Sequence, residues 1–150
     1  MLHRTVLAAA LVVLTACGDG FLATTRFVTS LRAARARWES RGIDTYEVTM
    51  RHLCFCGFLA GPVRVKVVDG SIVSRTVVPT GEPVPELYAS FYPDVPGLFA
   101  IVERATKDAD DFDAEFNPNY GYPADISIDW IENAVDDEEG YVVETFTITP

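Results

Sequence analysis

Val63-Arg64-Val65-Lys66-Val67-Val68-Asp69-Gly70-Ser71-Ile72-Val73-Ser74-Arg75-Thr76-Val77-Val78 decides the fold. Val63, Val65 and Val67 alternate with Arg64 and Lys66, the period-2 pattern of a half-buried strand. Asp69-Gly70 supplies a tight turn whose central residues need positive φ. Ile72 to Val78 then returns as the partner strand. A hairpin with one apolar face commits the chain to an antiparallel sheet that other elements must cover.

Upstream, Tyr46, Val48 and Met50 alternate with Glu47, Thr49 and Arg51, which predicts another strand, broken by Gly57 to Pro62. A helix is expected before it, starting at Thr24 or Thr25, either of which can cap it. Phe27, Leu31, Ala34 and Trp38 form its apolar stripe, and Arg26, Arg32, Arg35, Arg37 and Arg41 occupy much of the remainder. Gly42 is a natural stop. Downstream, Pro79 to Pro96 holds five prolines and reads as an extended surface loop. Pro96 suits the first turn of a second helix, which should end near Asp108. Three more strands follow: Phe112 to Phe116, Ile126 to Trp130 or Ile131, and Tyr141 to Ile148. The expected fold is α+β, an antiparallel six-stranded sheet with two helices on one face. Its order, helix and three strands twice over, suggests an internal repeat.

The N-terminal residues carry the parts of an export signal. His3 and Arg4 lie in a polar region, and Val6 to Val13 form an apolar run too short to span a bilayer of roughly 30 Å. Leu14-Thr15-Ala16-Cys17 follows. This stretch resembles the lipobox of bacterial lipoproteins, which implies a lipid on Cys17 and cleavage just before it. An ordinary secretory signal followed by a chance cysteine is the other reading. The expected organisation is a signal peptide over 1–16, a lipidated tether over 17–23 and a single domain over 24–150. Gly18 rather than aspartate follows Cys17. In a Gram-negative host this favours the outer membrane facing the periplasm; otherwise the outer face of the cell membrane is expected.

Residues 17–150 carry eleven basic and 22 acidic side chains, a net charge of −11. Such a chain is a poor nucleic-acid binder. The charge is uneven, with nine basic and five acidic residues in 17–75 against two and seventeen in 76–150. The two parts should attract each other within one domain. A second reading puts the arginines against anionic lipid beside the anchor.

After Cys17 only Cys54, Cys56 and His52 remain as cysteines and histidine. On a regular strand His52, Cys54 and Cys56 share one face. An imidazole and two thiolates could bind zinc or copper. A local Cys54–Cys56 disulfide is the other expectation, since an exported chain meets an oxidising compartment. Across two residues a straight strand holds the Cα atoms roughly 6.5–7 Å apart. A disulfide prefers about 5.5–6 Å, so a turn near Gly57 would have to close the gap. A nucleophilic Cys54 with His52 as its base is disfavoured by the same spacing. No G-x-S-x-G, P-loop or H-E-x-x-H motif is present. Two acidic runs, Asp108 to Glu115 and Asp136 to Glu139, read as solvated turns or as oxygen ligands for Ca²⁺, without the EF-hand pattern. Tyr120 and Tyr122 flank Gly121 before Pro123, and read either as a cap on the sheet or as an aromatic binding surface.

Arg51-x-x-Cys54-Phe55-Cys56, Gly61-Pro62-Val63-x-Val65-x-Val67-x-Asp69-Gly70, Tyr120-Gly121-Tyr122-Pro123, Asp125-x-x-Ile128-Asp129 and Val135-Asp136-Asp137-Glu138 recur in this order behind a lipobox and a Trp-ended helix. The combination resembles the domain-of-unknown-function family 6174 of bacterial lipoproteins, over nearly all of residues 17–150. Phe116-Asn117-Pro118 departs from the Tyr-Asp-Pro of that pattern, which weakens any role for an aspartate there. The resemblance implies fold and location but no activity, cofactor or catalytic residue. Two functions are then expected. The first is a non-enzymatic envelope module binding an unidentified protein or ligand. The alternative is a lipoprotein handling thiols, disulfides or metal through His52, Cys54 and Cys56. A hydrolase is disfavoured by the single histidine and the missing motifs.

Overall fold

The computed structural model describes residues 19–55 and 61–149. Along the chain run α1 (Asp19–Ser40), β1 (Tyr46–Cys54), β2 (Val63–Val68), β3 (Ser71–Val77), α2 (Val95–Asp108), β4 (Asp111–Phe116), β5 (Pro123–Asp129) and β6 (Glu139–Ile148). The strands form one six-stranded antiparallel sheet in the order β3-β2-β1-β6-β5-β4. Each half of the chain is thus a helix followed by a meander, and the last strand of the second meander pairs with the first strand of the first.

The hairpin forms as its turn chemistry implies. Asp69 and Gly70 take φ values of 50° and 71°, and β2 pairs with β3 from Val63↔Val77 to Val68↔Ser71. The alternating valines of β2 point inward and are buried, while Arg64 is exposed. Leu31, Ala34 and Trp38 of α1 and Val95, Leu98, Phe99, Val102 and Ala105 of α2 join these valines in one cluster. Both helices therefore lie on one face of the sheet. Each large side chain buried there contributes roughly 1.5–3 kcal/mol. Tyr46 ties α2 to the sheet: its buried hydroxyl accepts from Val95 N at 3.1 Å. Asp94 caps the same helix, accepting from Gly97 N at 2.8 Å.

Three local expectations are corrected. The first helix begins at Asp19, not at Thr24 or Thr25, because no breaker interrupts Phe21 to Thr25. Most of the stretch expected as a tether is therefore helical. The proline-rich segment is not extended throughout. Glu86–Phe91 forms a 3₁₀ helix where prolines are lacking, and Thr76 pairs with Pro83. β1 runs to Cys54, ahead of the break expected at Gly57 to Pro62, and carries His52 onto the sheet. β5 ends at Asp129, which leaves Trp130 and Ile131 in the following loop.

The two oppositely charged parts of the chain do meet. Arg35 pairs with Glu103 at 2.7 Å, and Arg51 pairs with Glu144. Among the described residues no helix is long and apolar enough to cross a membrane. The signal and lipobox, with Cys17, lie outside the described residues.

Candidate functional site

His52 stands near the end of β1, where the alternation of the strand turns it to the helix-covered face. Its side chain is only 4% exposed. The ring stacks between Tyr141 at 4.6 Å and Phe91 at 5.3 Å, with the edge of Tyr92 at 6.2 Å. Tyr141 comes from β6, and Phe91 and Tyr92 from the end of the 3₁₀ segment. The register His52↔Tyr141 and Cys54↔Glu139 brings the start of β6 alongside.

Glu139 is the hub of this corner. Its Oε1 lies 3.1 Å from His52 Nε2 and accepts from the Tyr141 hydroxyl at 2.8 Å. Its Oε2 accepts from Trp130 Nε1 at 3.1 Å and faces Arg104 at 3.6 Å. Arg104 in turn lies over the Trp130 ring, 4.0 Å from its centroid. The hydrogen bond with His52 is the main cause that holds the Glu139 carboxyl down at about 2. Partial burial opposes it, and the Tyr141 and Trp130 donors add to it. Tyr141 is pushed the other way, by burial first and then by the neighbouring carboxylate.

Cys54 Sγ lies 3.6 Å from His52 Nδ1. The sequence argued that two residues of separation would keep these atoms from reacting distance. At 3.6 Å they stand beyond the roughly 2.6–3.2 Å that a proton transfer needs. Since Nε2 faces a carboxylate, the proton belongs there in neutral imidazole, and Nδ1 presents its lone pair toward sulfur. Cys54 is oxidised in a disulfide, so its sulfur carries no proton for His52 to take.

A groove of roughly 430 Å³ opens at this end of the sheet, lined by residues that include Leu53, Phe55, Ser127, Glu138 and Gly140. Leu53 and Phe55 are 51% and 78% exposed. Gly140 lines the groove where β5 approaches closely: a Cβ there would sit 3.0 Å from Ile126 O and 3.5 Å from the Leu53 side chain.

Cys56 lies outside the described residues, so only His52 and Cys54 of the three expected metal ligands are placed. Among the described residues no group of three histidine, cysteine or carboxylate side chains is arranged to hold a metal ion. The acidic turns do come together, but their carboxylates serve the loops. Asp110 accepts from Glu132 N and Asp137 from Ile131 N, each at 2.7 Å. Partial burial and then the neighbouring acids Asp137, Glu138 and Asp110 raise Asp129, with a backbone N–H bond from Ile131 opposing them.

The Tyr120–Tyr122 pair faces inward more than a displayed aromatic surface would. Tyr122 is buried, packing on Phe146 at 4.8 Å and Trp38 at 6.5 Å, while Tyr120 stacks beside it at 6.4 Å. Asn117 organises this turn, accepting from Asn119 N and Tyr120 N and donating to the Tyr122 hydroxyl. An aspartate there would accept from the Tyr122 hydroxyl instead of donating to it.

Sequence reasoning missed Glu139 as a partner of His52, and it missed Tyr141, Trp130 and Arg104 altogether. Only the alternation of Glu139 and Tyr141 in the last strand pointed that way. A family model described as "Family of unknown function (DUF6174)" matches residues 30–148. No curated protein matches the chain.

Proposed function

The chain belongs to the family of unknown function DUF6174, and from that footing we propose that it is an envelope-anchored lipoprotein acting as a non-enzymatic binding module. The anchor is a lipid on Cys17. Support comes from the Leu14-Thr15-Ala16-Cys17 pattern and from α1, which begins only two residues beyond Cys17. So short a connection would hold the domain close to the lipid surface. The place is the periplasmic face of the outer membrane in a Gram-negative host, or the outer face of the cell membrane otherwise. Replacing Cys17 with serine is expected to move the protein from the detergent to the aqueous phase and to leave its precursor uncleaved. Retention in the detergent phase would remove the anchor.

The observation that carries the binding reading is the groove beside Leu53 and Phe55. Two exposed large apolar side chains line a cleft together with Gly140. Exposed apolar side chains beside a cleft suit insertion of an apolar group from an envelope partner. A photo-crosslinking amino acid at Phe55 is expected to give one discrete adduct in intact cells. The same group at Arg32, exposed on α1, should give none. Equal labelling from both positions, or none from Phe55, would sink the reading.

Cys56 is proposed as the disulfide partner of Cys54. This is supported by the oxidised state in which Cys54 stands, and by the commitment of the third cysteine, Cys17, to lipid.

A further inference from the structure

We propose that α1 lies flat on an anionic lipid surface, held there by Arg26, Arg32 and Arg37. The inference rests on the lipid anchor at Cys17 proposed above, and on no part of the groove reading.

One side of α1 is committed to the core through Leu31, Ala34 and Trp38. Thr25, Thr29, Ala33 and Ala36 recur at helical spacing on the opposite side, where they form an exposed ridge of small residues. At roughly 100° per residue, Arg32 flanks this ridge on one side and Arg26 and Arg37 flank it on the other. All three arginines are exposed. Among the described residues none of the three is paired with a carboxylate. The ion pairs of α1 belong to Arg35, which faces Glu39 and Glu103, while Arg41, past the helix end, donates to Asn119 O. The small ridge leaves room for the long side chains to reach past it to a flat surface.

The carboxylates lie on the other side of the molecule. Strand alternation turns Phe112, Ala114, Ile126 and Ile128 toward the helices. It turns Asp111, Asp113, Glu115 and Asp125 to the open face of the sheet, where they are exposed. A helix is about 10–12 Å across with its side chains. A lipid surface touching α1 is therefore further from these acids than the screening length of about 8 Å at physiological ionic strength. The net charge of −11 does not repel the lipid at this face, because its acidic excess is screened there.

The anchor sets the distance. Asp19 opens α1 two residues beyond Cys17, a span of roughly 7 Å in extended chain. An upright helix would carry Arg37 about 27 Å from its start, out of range of the surface potential. A helix lying flat brings all three guanidinium groups within that range, where headgroup phosphates accept from them. The occupant of this face is thus the bilayer to which the anchor holds the chain.

The test uses the lipidated protein, purified in detergent and reconstituted into two kinds of vesicle. One is phosphatidylcholine alone, and the other is equal parts phosphatidylcholine and phosphatidylglycerol. Flotation with the first, which has no net charge, reports the anchor. Phenylglyoxal modification of individual arginines, read by mass spectrometry, reports the docking. Arg26, Arg32 and Arg37 are expected to react about fivefold more slowly on the anionic vesicles. Arg64, exposed on the open face of the sheet, should react equally on both. The protection should vanish in 1 M salt, where the screening length falls to about 3 Å. Failure to float with phosphatidylcholine, with the three arginines still protected on the anionic vesicles, would remove the anchor and support the docking. Equal rates on the two vesicles would overturn the docking, leave the anchor intact and turn these arginines toward an acidic protein. Protection of Arg26 alone would overturn the flat arrangement in favour of an upright helix. Slowing of Arg64 by the same factor would also overturn it, since the reagent would then be kept from the whole protein.

Discussion

Replacing Gly121 with alanine is expected to lower the free energy of unfolding by about 3–4 kcal/mol, a loss in the range reserved for backbone conflicts in packed sites. Gly121 sits in the turn between β4 and β5 with φ of 89°. A Cβ built there would lie 2.2 Å from Ala34 O and 3.1 Å from Arg37 Cβ. The obstacle is helix backbone, which cannot swing aside as a flexible side chain can. Relief would require the turn to lift off α1. That movement would loosen the packing of Tyr122 on Trp38 and the bond from Arg41 to Asn119 O. Gly42 provides the control. It also has positive φ, at 58°, but nothing stands within 4 Å of its added Cβ. Gly42→Ala should therefore cost only the left-handed penalty, roughly 1–2 kcal/mol. Urea unfolding of the two variants compares the effects directly. Equal losses would mean that the contact between the turn and α1 is not tight.

The contrast between these glycines marks what the sequence can and cannot carry. Gly42 is legible because it ends a periodic stripe. The demand on Gly121 comes from Ala34, far away along the chain. The hairpin and α2 were legible for the same local reason, since Asp69-Gly70 carries its own turn chemistry and Pro96 suits the first turn of a helix. The start of α1 was not, because Phe21, Leu22 and Ala23 read equally as helix or tether. Glu86–Phe91 was hidden by the prolines on either side of it.

The candidate site divides along the same line. That His52 and Cys54 share a face follows from strand period alone. That Glu139 completes them depends on the pairing of β1 with β6, residues 87 apart in sequence. Strand register across such a distance is set by which faces must be buried, not by local pattern. Glu139 also closes the run Asp136-Asp137-Glu138-Glu139, whose composition describes a solvated turn. Three of those acids belong to the loop before β6, and the fourth opens β6 itself.

Glu139 should also make the domain acid-labile. Its carboxyl is held at about 2 in the folded chain, against an ordinary 4.5, chiefly by the bond with His52. A carboxyl depressed on folding stabilises the native state above its unfolded value. That contribution fades as pH falls from 4.5 through about 2. The gap corresponds to about 3 kcal/mol at neutral pH. The side chain is 20% exposed, so solvent screens only part of it. Many other carboxylates titrate in the same window, so the wild-type curve alone does not isolate this one. Glu139→Gln does, because it keeps the shape and removes the charge. Its amide NH₂ would also face the Trp130 N–H, donor against donor. Unfolding free energies measured from pH 7 to pH 2.5 should lie about 3 kcal/mol apart at neutral pH. The two curves should converge at the acid end, as the wild-type carboxylate gains its proton. Curves that stay parallel down to pH 2.5 would show that Glu139 packs against His52 without its charge mattering.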